Sequence, residues 1–292
     1  SDSYNVGILV FDVLLGVMVQ LINAAGGSAA FGKWGVQNIK SRVTAQLSVV
    51  ALGCLIFIDD YFNCLTVGTV MRPLTDKHNV SRAKLAYLID ATAAPVCIIA
   101  PISSWAAAVT GFVDGVDGLD LFISAIPYNY YALLTLFMMI IMTIMKVEFG
   151  PMATHEKNAI AKGDIYTTAS RPYANAEGEN GNPNGTVLDL VLPIVALIVS
   201  CVLTMVYTGG FFDVNSGSYM NFIDAFSGCD ASMGLVLGSF IALIVTFCFF
   251  IPRKVITIKQ FTESFSEGFK QMVPAILILT FAWTLSVVTK NL

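Results

Sequence analysis

Long apolar runs constrain this sequence more than any other feature. Runs of about 20 residues recur along a chain that is 56% hydrophobic and only 12% charged. A soluble domain carries about twice that charged fraction, whereas an apolar run of about 20 residues can cross a bilayer as a helix. We therefore expect an all-α integral membrane protein with several spans. The six cysteines show no metal-binding spacing and the two histidines fall in polar segments, so a histidine-ligated metal is not expected.

The basic residues predict how these runs cross the membrane. Fifteen of the sixteen Lys and Arg residues fall in four segments: 33–42, 72–84, 146–171 and 253–270. Cytoplasmic segments of membrane proteins are enriched in Lys and Arg. If all four segments are cytoplasmic, the run 43–71 begins and ends on the same side of the membrane. We therefore predict that this run forms a re-entrant helical hairpin.

The order of the runs predicts two halves. Residues 1–145 would form a first transporter repeat, with a span, the re-entrant hairpin at 43–71, a proline-broken helix at 85–113 and a further span. Residues 146–186 would form a cytoplasmic linker, part of which has a disordered-linker composition. Residues 187–292 would start a second repeat with three spans. Because the first and last spans of the chain run in opposite directions, we expect an inverted repeat whose second half is incomplete.

Three phenylalanines precede the last predicted span, residues 272–288. Phe261, Phe265 and Phe269 recur every four residues in a basic segment. This spacing is typical of a short amphipathic helix at the membrane interface, and a polar loop is the alternative.

Two adjacent carboxylates, Asp59 and Asp60, follow an apolar run and lie near the predicted tip of the hairpin. Because an ionised carboxylate is costly in hydrocarbon, such residues usually face a cavity, a partner or an ion path. In a helix, Asn63 and Thr66 would share the face of Asp59. Carboxylate, amide and hydroxyl oxygens together suit a small cation. The alternative is a helix end wetted at the membrane surface. Asp12, in the first span, needs a partner or a wet face but is not included in this site.

The run at 85–113 contains two prolines, Pro95 and Pro101, each of which removes a backbone donor. We expect them to break the helix and to free carbonyl oxygens that can coordinate an ion. Polar side chains around the break would complete the ion site: Asp90, Thr92, Ser103 and Ser104. The alternative is an ordinary kinked span whose hydroxyls bond back to their own helix.

These motifs together resemble a known family. The stretches DDYFN, TVGTVMRPLTD and IDATAAPV with APISSW, all within residues 57–111, are similar to the bacterial NhaC-type sodium/proton antiporters of the ion-transporter superfamily. The similarity covers most of residues 5–145 and continues more loosely to the end, and full members are longer at both ends. It implies a multi-pass secondary antiporter of the bacterial cytoplasmic (inner) membrane that exchanges sodium for protons.

Competition at a buried carboxylate would couple these two ions, because the group binds a proton or a sodium ion but not both. Asp59, Asp60 and Asn63 are the expected sodium ligands, and Asp59 or Asp60 the expected proton carrier. The expected partners are the sodium ion, protons and the lipid bilayer. No resident cofactor and no nucleic acid are expected. A homodimer is an assembly that the sequence allows.

The sequence leaves two alternative functions. A sodium/proton-coupled exchanger of small organic acids, of the malate/lactate type, or of amino acids would want basic or helix amino-terminal groups around the anion. No Lys or Arg lies inside a predicted span, which favours a bare cation. An intramembrane aspartyl protease could use Asp59 and Asp90 as its dyad. The GxGD pattern of such proteases is absent, so an enzyme is not expected.

Overall fold

The structure is a computed structural model that describes residues 3–101, 103, 105, 106, 118–171 and 181–290. Within these ranges the chain is helical and contains no strand. The helices are α1 (Ser3–Ala24), α2 (Gly27–Asn38), α3 (Arg42–Leu55), α4 (Asp60–Lys77), α5 (Arg82–Ile99), α6 (Gly118–Ala125), α7 (Tyr130–Met145), α8 (Gly150–Lys162), α9 (Leu188–Thr208), α10 (Phe222–Ser227), α11 (Ala231–Phe250) and α12 (Ile258–Lys290).

Five stretches of the described residues are long and apolar enough to cross a membrane: Asn5–Ala24, Tyr130–Lys162, Leu188–Thr208, Ala231–Phe250 and Ile258–Leu285. Helices suit this environment because they satisfy their backbone hydrogen bonds internally. The prediction of an all-helical protein with several spans is confirmed.

Helix α1 lies at the centre of the described bundle. It packs against α2, α4, α9, α11 and α12, and Leu15, Val17 and Met18 are fully buried there. Its backbone comes closest to α12, where a Cβ atom on Gly16 would lie 2.5 Å from the carbonyl oxygen of Gly268. Only glycine permits this approach, which is how small residues bring membrane helices into contact.

The run predicted as a re-entrant hairpin consists of two contacting helices, α3 and α4, separated by a break. Ser41 caps α3 in a reciprocal capping box with Thr44, and the helix ends at Leu55. The backbone is extended at Asp59, whose side chain then caps α4. The break therefore coincides with the aspartate pair, whereas the re-entrant topology and the inverted repeat stay predictions.

The predicted broken helix differs from the structure at its first proline. Pro95 lies inside α5, which continues to Ile99, and helical structure stops just before Pro101. One proline removes a single backbone donor, and a kink can accommodate its ring, so the helix passes through Pro95. The prediction that Pro95 breaks the helix was therefore wrong. Of the remainder of 85–113, residues 102, 104 and 107–113 lie outside the described residues.

The three phenylalanines do not form a separate interfacial helix. Phe261, Phe265 and Phe269 belong to the first turns of α12, a single helix of 33 residues that also contains the predicted last span. Phe261 packs edge-on against Phe247 of α11, with ring centroids 4.7 Å apart. The helix also passes through Pro274. Contacts with α1 and α11 thus hold a continuous helix where the basic composition predicted a boundary.

The segment predicted as a linker is anchored where the structure describes it. Within it, α8 carries the buried Glu156, which pairs with Arg42 at the start of α3. Farther along, Asn182 donates its backbone N–H to Ala24 (3.0 Å) and its side-chain amide to the carbonyl of Val255 (2.8 Å). Residues 172–180 lie outside the described residues.

Candidate functional site

Asp59 and Asp60 stand at the amino terminus of α4. Asp59 is only 6% exposed, and its Oδ1 accepts a hydrogen bond from the backbone N–H of Phe62 at 3.0 Å. Asp60 is half-buried in the first turn and accepts a hydrogen bond from the indole of Trp105. The unpaired N–H groups and the positive dipole end of a helix stabilise negative charge there. The amino terminus of α4 thus provides a polar environment for both carboxylates inside an apolar bundle.

Asn63 joins α4 to the end of α3 and is fully buried. Its Nδ2 donates to the carbonyl oxygens of Gly53 and Ile56, both at 2.7 Å. The last carbonyls of a helix have no partner within it, so the amide satisfies groups that the break would otherwise leave unpaired. This use of both donors fixes the amide orientation. The remaining oxygen, Asn63 Oδ1, is buried and has no hydrogen-bond partner.

Thr66 lies one turn farther along the same face of α4. It is 2% exposed, and its hydroxyl oxygen also has no hydrogen-bond partner. A buried polar atom without a partner costs about 1–3 kcal/mol, so such atoms are rare in native proteins. Two of them, Asn63 Oδ1 and Thr66 Oγ1, lie on one helical face. Both follow the two carboxylates within two helical turns.

The structure brings only part of the α5 set to this face. Thr92 is buried, and its methyl group contacts the backbone of Gly53, but its hydroxyl bonds to the carbonyl of Leu88 at 2.6 Å. Asp90 lies on an exposed face of α5, within electrostatic range of Cys64 on α4, and so is not one of the buried oxygens. Thr92 and Asp90 therefore add no free buried oxygen to the site.

Ser103 takes a structural position after α5. Its hydroxyl donates to the carbonyl of Cys97 at 2.7 Å, and it accepts from the N–H of Ala106. Pro101 cannot donate to that carbonyl, so the Cys97 oxygen freed by the break is already satisfied. Ser104 lies outside the described residues.

One carboxylate that the sequence analysis left out does approach the site. Asp12, in the middle of α1, is 2% exposed, and its Oδ2 has no hydrogen-bond partner. It lies within electrostatic range of Asp59 and Asp60. Only its position inside an apolar span signalled this in the sequence, because proximity between α1 and α4 depends on how the helices pack.

The described site is rich in oxygen and has no basic residue in its own segments. Neither residues 1–32 nor the run 43–71 contains a Lys or Arg. Among the residues that the structure describes, no three His, Cys, Asp or Glu side chains are grouped as a metal cage. A cavity of about 310 Å³ lies elsewhere, at the far end of α1 beside Asn23, Glu263 and Glu267. The described site is therefore a set of mixed oxygens.

The chain is similar to known proteins along most of its length. A model of the Na⁺/H⁺ antiporter family matches residues 96–292. An uncharacterized protein of Haemophilus influenzae is 33% identical over 291 residues, which cover 97% of this chain and 54% of that protein. The chain thus spans about half the length of this relative. No solved structure matches this chain. Because the family model matches more than half of its residues, the chain belongs to the Na⁺/H⁺ antiporter family.

Proposed function

We propose that this chain is part of a secondary antiporter of the NhaC type, which exchanges sodium for protons across the bacterial cytoplasmic membrane. The observation that carries the proposal is the face of α4. Two carboxylates stand at its amino terminus, and two buried oxygens without partners, Asn63 Oδ1 and Thr66 Oγ1, follow them. Carboxylate, amide and hydroxyl oxygens are the ligands that hard cations prefer.

Coupling follows from competition for this one site. A cation favours the ionised carboxylate, and a proton removes the charge that holds the cation. Sodium would bind Asp59 or Asp60 together with Asn63 Oδ1 and Thr66 Oγ1. A proton would occupy the same carboxylate when sodium leaves. Each ion therefore has to displace the other, which links their fluxes in opposite directions.

The carboxylates would be reached from the cytoplasm through a re-entrant α3–α4 hairpin. This topology places residues 33–42 and 72–84 on the same side of the membrane. Single cysteines introduced in both segments of the full-length protein should react with an impermeant thiol reagent only from the cytoplasmic face. Labelling of the two segments from opposite faces would make 43–71 an ordinary span.

Flux measurements test the proposed exchange directly. Full-length protein in vesicles should move protons against an imposed sodium gradient, and potassium should not replace sodium. Because the two ions compete, the apparent sodium affinity should weaken by about tenfold per pH unit once the pH falls below the pKa of the site. Sodium flux without proton movement would contradict the exchange.

The same vesicles separate this function from organic-acid exchange. The segments that form the described site carry no Lys or Arg to bind an anion. Malate, lactate and amino acids should therefore be unnecessary for the sodium and proton fluxes. A strict requirement for one of them would favour the organic-acid or amino-acid exchanger instead.

A further inference from the structure

Asp12 is a buried acid that has no role in the exchange proposed at α4. It lies near the middle of the stretch Asn5–Ala24, between the buried side chains of Phe11 and Leu15. Its Oδ2 has no hydrogen-bond partner. A carboxyl group at this depth in a membrane is costly, and such residues generally face the interior of a bundle and serve an ion path.

The surroundings of Asp12 point toward the α4 carboxylates. α1 packs directly on α4, and Asp12 interacts electrostatically with both Asp59 and Asp60. The Tyr61 side chain interacts with all three of these carboxyl groups. Tyr61 is thus within electrostatic range of all three carboxyl groups, as expected if Asp12 on α1 lies near the α4 carboxylates.

A purely structural role does not explain why Asp12 is buried without a basic partner. Two other buried acids in the described residues, Asp189 and Glu156, each form an ion pair with an arginine. No described Lys or Arg lies within ion-pair distance of Asp12, and α1 itself carries none. One turn along, on the same face of α1 as Asp12, Gly16 packs against the backbone of Gly268, so α12 covers this face of α1. Asp12 is thus buried, lies within electrostatic range of two other acids and has no basic partner among the described residues.

We propose that Asp12, contributed by α1, is a third carboxylate of the site, whose negative charge strengthens cation binding at the α4 amino terminus. The inference rests on the proposed cation exchange and extends it to a second helix. Because no three acids among the described residues are grouped closely enough to hold a metal ion, Asp12 acts on a cation bound at α4 through its negative charge, not as a direct ligand.

Sodium binding to the purified full-length protein, measured by calorimetry, tests this. Asp12→Asn keeps the size of the side chain but removes its charge, and it should weaken sodium affinity by at least about tenfold. Asp12→Glu restores the charge and should stay within about threefold of wild type. Asp213→Asn removes one charge from an exposed loop and serves as the matched control, with unchanged affinity.

A chemical measurement on the unmutated protein covers the case in which Asp12→Asn does not fold. A hydrophobic carbodiimide reacts with protonated carboxyl groups buried in a membrane, and mass spectrometry locates the adduct. Sodium should protect Asp12 from this reagent in parallel with the α4 carboxylates, whereas potassium should not.

The outcomes of these experiments distinguish this inference from the proposed cation exchange on which it rests. Sodium affinity within about twofold of wild type in Asp12→Asn, or modification of Asp12 that sodium does not reduce, overturns the role of Asp12 and leaves exchange at α4 standing. Wild-type protein that binds no sodium overturns both.

Discussion

Two regions of this protein bury carboxylates in opposite ways. Near the start of α9, Asp189 is fully buried, pairs with Arg253 and accepts the backbone N–H of Thr186 at 2.7 Å. Near the start of α4, Asp59 is almost as buried and accepts a backbone N–H. The next two polar side chains on that helical face, Asn63 and Thr66, leave buried oxygens without partners. One region closes its polar network, and the other leaves it open.

The difference separates structural acids from acids available to an ion. A buried charge that is paired and hydrogen-bonded holds two segments together, and removing one partner is strongly destabilising. Glu156 does the same on α8, where it pairs with Arg42 and accepts the N–H of Ser81 at 2.8 Å. Unpartnered buried oxygens stabilise nothing by themselves, since each costs free energy until something binds it. Their persistence around Asp59 therefore favours a ligand there.

The largest expected effect comes from removing the charge at α4. Asp59→Asn should reduce sodium-driven proton flux by at least about a hundredfold, because the site loses a charge that both ions require. Asparagine is also a good helix cap, so the free energy of unfolding should change by less than about 1 kcal/mol. Flux in vesicles and thermal unfolding in detergent measure the two quantities on one preparation.

The matched control is the closed network. Asp189→Asn leaves Arg253 without its partner and should destabilise the protein by about 2–4 kcal/mol, with near-normal sodium affinity in the folded fraction. If Asp59→Asn instead lost stability while retaining transport, the two regions would be alike and the α4 carboxylate would be structural.

The sequence predicted the parts of this site that lie within one helix. Helical spacing alone placed Asp59, Asn63 and Thr66 on one face, and the structure has α4 begin there with that face buried. The end of α5 near Pro101 was also foreseen, since proline cannot donate to the preceding turn. Such features depend on residues only a few positions apart.

What the sequence could not predict depends on contacts between helices. The approach of Asp12 follows from the packing of α1 on α4, and the exposure of Asp90 follows from which face of α5 turns outward. The orientation of the Asn63 amide depends on two carbonyls of α3 and its connection, seven and ten residues away. The continuity of α12 likewise reflects its packing on α1 and α11.

The smallest expected effect sets one threonine against another. Thr66 has a buried hydroxyl oxygen without a partner, whereas the hydroxyl of Thr92 is already committed to the carbonyl of Leu88. Valine keeps the shape of threonine and removes only the hydroxyl. Thr66→Val should weaken sodium affinity by about threefold to tenfold, with unchanged or slightly increased stability, because an unsatisfied polar atom is removed.

Thr92→Val should do the reverse. It keeps the methyl group that packs on Gly53 and loses one hydrogen bond to its own helix. It should therefore cost up to about 1.5 kcal/mol of stability while leaving sodium affinity within about twofold. Sodium titration and thermal unfolding of both variants test the pair. If Thr92→Val weakened sodium binding as much as Thr66→Val, hydrogen bonding within the protein would not distinguish ligand oxygens from structural ones. The contrast between open and closed networks would then fail at the level of single hydroxyls.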